Sequence, residues 1–118
     1  MKSKTIVIPI LNDEYKVIVC WGDSDYIGKT LKQWWYPNFD ESWLIDRRGV
    51  TFHSKNCHPI IALPKEPKTG EEIGSLAHEA VHAVADIFRK IDQDIAEEVY
   101  AHSVGAIVRK ILQIKNKK

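Results

Sequence analysis

Apolar and polar positions alternate or cluster along the chain in a way that divides it into a first half of short β segments and a second half of long helices. Residues 5–10 form a β-branched run and residues 15–21 a second, with Asn12, Asp13 and Glu14 between them as turn formers. That pattern predicts a β-hairpin. Over 24–35 an acidic start, Tyr26, Ile27, Leu31 and Trp34 at helical spacing, and Pro37 beyond the end predict a short helix. Residues 43–45 and 50–52 flank Asp46-Arg47-Arg48-Gly49, which predicts a second hairpin whose Gly49 takes positive φ. Residues 58–63 predict one more strand. The prolines at its ends favour the edge of the sheet, because proline cannot donate to an inner ladder.

After a linker over 64–68 the period changes. Thr69-Gly70-Glu71-Glu72 has the form of a capping box, so a helix is expected from there to about residue 89. A final helix, capped by Asp92 or Asp94, is expected to reach about residue 114 with Ala96, Tyr100, Val104, Ile107, Val108 and Ile111 as its apolar stripe. The few residues between the two helices predict that they pack as antiparallel neighbours. The expected fold class is α+β: one domain over 1–118, with a small, mainly antiparallel sheet and a short helix followed by two long antiparallel helices.

The totals narrow the function. Seventeen basic and sixteen acidic residues leave a net charge of +1, which gives no overall field toward nucleic acid. No apolar run approaches the ~20 residues that span a bilayer, and residues 1–4 lack the pattern of a signal peptide. A cytoplasmic protein is therefore expected, without a nucleic-acid or membrane partner. Cys20 and Cys57 are then expected as reduced thiols.

The chemistry lies in the first long helix, where His78-Glu79-Ala80-Val81-His82 reads H-E-x-x-H. Histidines four apart leave one face of a helix about one turn apart, so two imidazole nitrogens can reach one Zn2+ at ~2.1 Å. Glu79 projects beside them, where its carboxylate can take a proton from water activated by the metal. The expected metal ligands are His78 and His82, and the expected catalytic base is Glu79. An ordinary pair of surface histidines beside an apolar core is the plain alternative. A catalytic zinc keeps three protein ligands and a place for water. Glu97, Glu98 and His102 are the candidates for the third. Glu98 is favoured, since it lies beside Ala101 and Gly105 on a flank of little bulk, whereas Glu97 points along the apolar stripe. His102, one turn after Glu98, is a candidate catalytic group as an oxyanion donor, or a partner to the ligand shell, or a polar residue at the helix edge.

With Glu98-Val99-Tyr100-Ala101-His102-Ser103-Val104-Gly105 following the H-E-A-V-H-A-V stretch, residues 70–112 resemble the small H-E-x-x-H proteins encoded in bacteriophage genomes, minimal relatives of the gluzincin metallopeptidases. The resemblance implies a zincin-like fold, Glu98 as third zinc ligand, and residence in a host cytoplasm. His102 stands where an aromatic is more usual in that pattern. A shorter likeness, E-x-x-A after H-E-x-x-H, is to the ImmA/IrrE-type regulator peptidases, whose activity is repressor cleavage. A zinc peptidase acting on a protein or peptide substrate is the expected function. A metal-stabilised binding module without activity is the alternative, and a DNA-linked protease of the SprT kind fits poorly with the neutral charge. Two further features stand outside the motif. His53, Cys57 and His58 carry metal-capable atoms, but Cys57 and His58, adjacent in a strand, would point to opposite faces. Trp34 and Trp35 cannot both face inward from a short helix, so one is expected at the surface.

Overall fold

A computed structural model describes residues 3–10, 14–36, 40–44, 47–91 and 97–116. The elements in order are β1 (Lys4–Ile10), β2 (Tyr15–Trp21), α1 (Ser24–Gln33), β3 (Val50–Ser54), β4 (Cys57–Leu63), α2 (Gly70–Ile91) and α3 (Glu97–Asn116), with a 3-10 turn over Glu41–Leu44. The α+β class holds. The sheet has four strands in the order β1-β2-β4-β3 and is mixed: β1 with β2 and β3 with β4 are antiparallel, while β2 and β4 run parallel.

Burial explains that order. Along β2, Val17, Val19 and Trp21 enter one core, while Ile18 and Cys20 enter another; along β4, Ile61 and Leu63 join the first while Ile60 and Ala62 join the second. Strands apolar on both faces belong in the middle of a sheet, with helices covering each side. Leu76, Ala80, Ala83, Val84, Ile87 and Phe88 of α2, with Ile107 and Ile111 of α3, close the first face. Ile27 and Leu31 of α1 close the second. Val104 packs at the margin of the α2–α3 core, in line with the stripe expected for the last helix.

Two expectations are corrected. The strand over 58–63 is not an edge: β4 lies between β2 and β3. Its prolines are tolerated because Pro59 precedes the parallel ladder, which begins at Ile60, and lies opposite the register shift between Phe52 and Ser54; Pro64 follows its end. The free edge on this side is β3. Nor do Trp43 and Leu44 form the first strand of the hairpin expected over 43–52: they lie in the 3-10 turn, while Ile45 and Asp46 lie outside the described residues. Asp40 accepts hydrogen bonds from Ser42 N at its side chain (2.9 Å) and from Trp43 N at its carbonyl (3.0 Å), and these local bonds hold the 3-10 turn instead. β3 turns through Lys55 and Asn56 into β4. Gly49 does not take positive φ; among the described glycines Gly22 does.

The helix ends follow local chemistry. Glu72 N donates to Thr69 Oγ1 (3.1 Å) and Thr69 N to Glu72 Oε1 (3.0 Å), the reciprocal pair of a capping box. α1 is capped by Asp23, which accepts from Tyr26 N at 2.9 Å. It ends with Tyr36 N bonded to Leu31 O (2.8 Å) and Trp35 N to Lys32 O (3.2 Å), with Trp35 at φ +75°. This is a Schellman arrangement with tryptophan in the position that glycine usually fills. Trp35 is exposed and Trp34 packs against the second core, so one of the two does lie at the surface. The proposed helix caps Asp92 and Asp94 lie outside the described residues. Both cysteines are free; burial pushes the Cys20 thiol up to about 12.

Candidate metal centre

The face of α2 opposite its core contact carries the motif. Ala80, Ala83 and Val84 are buried, which turns His78 and His82 outward, and both are exposed. Their Nε2 atoms converge to 3.2 Å, with ring centroids 4.8 Å apart and planes at 80°. Two nitrogens each ~2.1 Å from one ion at a tetrahedral angle stand ~3.4 Å apart. The pair therefore fits zinc held through both Nε2 atoms, with little change of rotamer. When one ring carries its proton on Nε2, the same approach also allows a hydrogen bond between the rings.

Glu79 sits on the adjacent side, half-buried, and is tied to the sheet. Thr51 Oγ1 on β3 donates to Glu79 Oε1 at 2.7 Å and lies 3.0 Å from the Glu79 carbonyl oxygen. Gly49, two residues earlier, comes so close to α2 that a Cβ there would lie 3.1 Å from Glu79 Cγ and 3.0 Å from Leu63 Cδ2. Glycine is thus required by the approach of three elements and not by a turn. An open groove of about 520 Å3 runs past Arg47, Gly49, Ser75, His78 and Glu79. Arg48 on its wall pairs with Glu71 in the first turn of α2.

One turn beyond His82, Asp86 is 5% exposed, a carboxylate set among buried Ala83, Val84, Ile87 and Phe88. His53 Nδ1 on β3 lies 3.6 Å from Asp86 Oδ1, and the Lys90 ammonium lies 2.7 Å from Asp86 Oδ2 as an ion-pair contact without the alignment of a good hydrogen bond. Lys90 also donates to the Cys57 carbonyl. A hydrogen bond from Lys90 and the close approach of His53 to Asp86 therefore bring the start of β4 and the end of β3 against the C-terminal half of α2. Neither Thr51 nor Asp86 carries a motif. The one signal for Asp86 is a lone acid within the apolar stretch Ala83-Val84-Ala85-Asp86-Ile87-Phe88.

Among the described residues, no group of three His, Cys, Asp or Glu side chains could hold a metal. The side chains of Glu98, favoured as third ligand, and of Glu97 lie outside the described part. Their helix α3 shares the core with α2. His102 is exposed on α3 and does not complete a metal group with the histidine pair. His53, Cys57 and His58 do not assemble: His53 faces Asp86 on the α2 side, whereas His58 meets Trp34 on the α1 side with centroids 6.3 Å apart. Burial, then Lys16 and Lys90, holds the His58 imidazole below its usual pKa. No helix among the described residues is long and apolar enough to cross a membrane. Comparison of the chain with family models, curated proteins and solved structures finds no match.

Proposed function

We propose that the chain is a zinc-dependent metallohydrolase, and specifically a peptidase. The observation that carries this reading is the convergence of His78 Nε2 and His82 Nε2 to 3.2 Å beside a Glu79 carboxylate held at 2.7 Å by Thr51, with His78 and Glu79 lining one open groove. The likeness of residues 70–112 to the phage-encoded H-E-x-x-H proteins points the same way. In this reading Glu98 is the third ligand and His102 the candidate donor to the developing oxyanion. Zinc, when bound, supplies a Lewis acid that lowers the pKa of water and polarises a carbonyl.

Every other step falls to the chain. Among the described residues β3 has no strand on its outer side, so an extended peptide can pair there and lie along the groove. Glu79 takes a proton from the attacking water and passes it to the leaving amine, which balances the hydrolysis. Thr51 holds one carboxylate oxygen, so the other is left to point into the groove. The Glu79→Gln variant is expected to bind zinc as the native chain does and to lose at least a thousandfold in hydrolysis of unfolded protein substrates. Metal content by mass spectrometry and cleavage with and without chelator check it. Loss of zinc in Glu79→Gln would make Glu79 a ligand and end this assignment. Full zinc binding by the native chain with no cleavage of any substrate would favour the metal-stabilised binding module.

A further inference from the structure

Beside the groove of the motif, a second, apolar cleft lies on the opposite face of β3. That cleft, about 380 Å3, is walled by Ile27 of α1, Val50 of β3, Ala62 of β4, Leu44 and Pro64, and it shares Arg47 and Gly49 with the groove that His78 and Glu79 line. We propose that it is the specificity pocket of the hydrolase, and that it takes a large apolar side chain from the residue adjoining the scissile bond. The proposal rests on the peptidase reading above and adds to it the class of substrate side chain.

The argument is one of strand geometry. Successive side chains of a strand point to opposite faces of its sheet. Thr51 points to the α2 face, where it meets Glu79, while Val50 and Phe52 point to the α1 face, where Val50 lines the cleft and Phe52 packs against the second core. A peptide added to the outer edge of β3 obeys the same alternation. When one of its residues is level with Thr51 and faces the Glu79 side, its neighbour turns to the α1 face and stands over the cleft. Gly49 and Val50 lie within two residues of Thr51, so the cleft serves the residue beside the bond and not a distant one.

The lining sets the chemistry. Ile27, Leu44, Val50, Ala62 and Pro64 offer carbon, and the cleft has room for a leucine or phenylalanine side chain. The Asp23 carboxylate at its rim is already engaged, capping α1 through Tyr26 N at 2.9 Å. A small polar side chain would therefore leave apolar surface uncovered. An acidic one would meet Arg47 alone among the cationic side chains of the lining, an exposed residue whose pairing with a carboxylate is worth little against the apolar area left uncovered.

The test separates the pocket from the chemistry. The full chain, supplied with zinc, and its Glu79→Gln variant are titrated with blocked hexapeptides carrying Leu, Phe, Ser or Asp at one central position, and binding is followed by the amide chemical shifts of Ile27, Val50 and Ala62. The expected result is binding of the Leu and Phe peptides at least tenfold tighter than Ser or Asp, with shifts at those three amides. Val50→Phe, which fills the cleft, should abolish the preference, and Val50→Ala, which widens it, should move it from Leu toward Phe. Equal binding of all four peptides, no shift at the three amides, or a preference unchanged by Val50→Phe overturns the pocket. Hydrolysis of the same peptides is scored separately: preference without zinc-dependent cleavage removes the peptidase reading and leaves the pocket, whereas cleavage without preference removes the pocket alone.

Discussion

The Thr51 hydroxyl donates to Glu79 Oε1 at 2.7 Å, and so the edge strand of the sheet is fastened to the carboxylate that the H-E-x-x-H motif sets beside its histidines. A hydrogen bond to a carboxylate holds one of its oxygens and limits its rotamers, which matters for a general base that must meet a proton within hydrogen-bond reach. Thr51→Val keeps the shape and removes the donor. The expected cost is about 1 kcal/mol of stability and about a tenfold fall in turnover, with zinc affinity unchanged. Denaturant unfolding, metal titration and cleavage rate of the one variant check all three; unchanged turnover would show that Glu79 needs no support from β3.

Gly49→Ala acts on the same carboxylate from another direction. The added methyl would stand 3.0 Å from Leu63 Cδ2 and 3.1 Å from Glu79 Cγ, closer than such contacts normally come. Leu63 is buried and has little room to retreat, so the Glu79 side chain is the part that yields. About 1 kcal/mol of overpacking is expected, with a fall in turnover rather than in metal content. Because both changes displace one side chain, the double variant with Thr51→Val should lose less activity than the two single losses combined.

What the sequence made legible was local. The capping box at Thr69 and Glu72, the Tyr15–Trp21 strand and the i, i+4 histidine pair all depend on residues within one turn or one strand, and each is found where its spacing puts it. Sheet order was not legible in the same way. The prolines flanking β4 suggested an edge, yet Ile60-Ile61-Ala62-Leu63 is apolar on both faces, and that is the signature of an inner strand next to a parallel partner. The reading of Gly49 as a turn glycine failed for a related cause: its reason is a meeting of β3, β4 and α2 that no local pattern encodes. Thr51 and Glu79 are 28 residues apart, and Asp86 reaches back to His53 across 33; such pairs exist only once α2 is laid on the sheet. The third ligand stays with Glu98 as an expectation, since its side chain lies outside the described part.

Trp35 ends α1 at φ +75°, and its side chain is 75% exposed, so little packing offsets that conformation. A left-handed backbone costs an L-residue roughly 1–2 kcal/mol. Glycine removes that cost but returns about 0.5–1 kcal/mol through its greater freedom when unfolded. Trp35→Gly is therefore expected to raise stability by about 0.5–1 kcal/mol, a gain of a few degrees in Tm by calorimetry. A fall in Tm instead would mean that the indole makes a stabilising contact worth more than the backbone cost.

Glu72 makes the start of α2 sensitive to acid. Its carboxyl is lowered from 4.5 to about 2, chiefly because its carboxylate accepts from Thr69 N, then through the Lys65 ammonium at 2.9 Å, and then from Lys68 N. The folded pKa is below the unfolded one, so protons favour the unfolded chain. The stabilisation is complete above pH 4.5 and drains away as the pH falls from there toward 2. Glu72→Gln keeps part of the hydrogen-bonding capacity but does not titrate. The variant should be less stable than the native chain at pH 7, and the difference should shrink steadily between pH 5 and pH 2. Paired denaturant unfolding curves across that range measure it. A difference that stays constant with pH would show that the charge of Glu72 plays no part in holding the N-terminus of the helix that carries His78, Glu79 and His82.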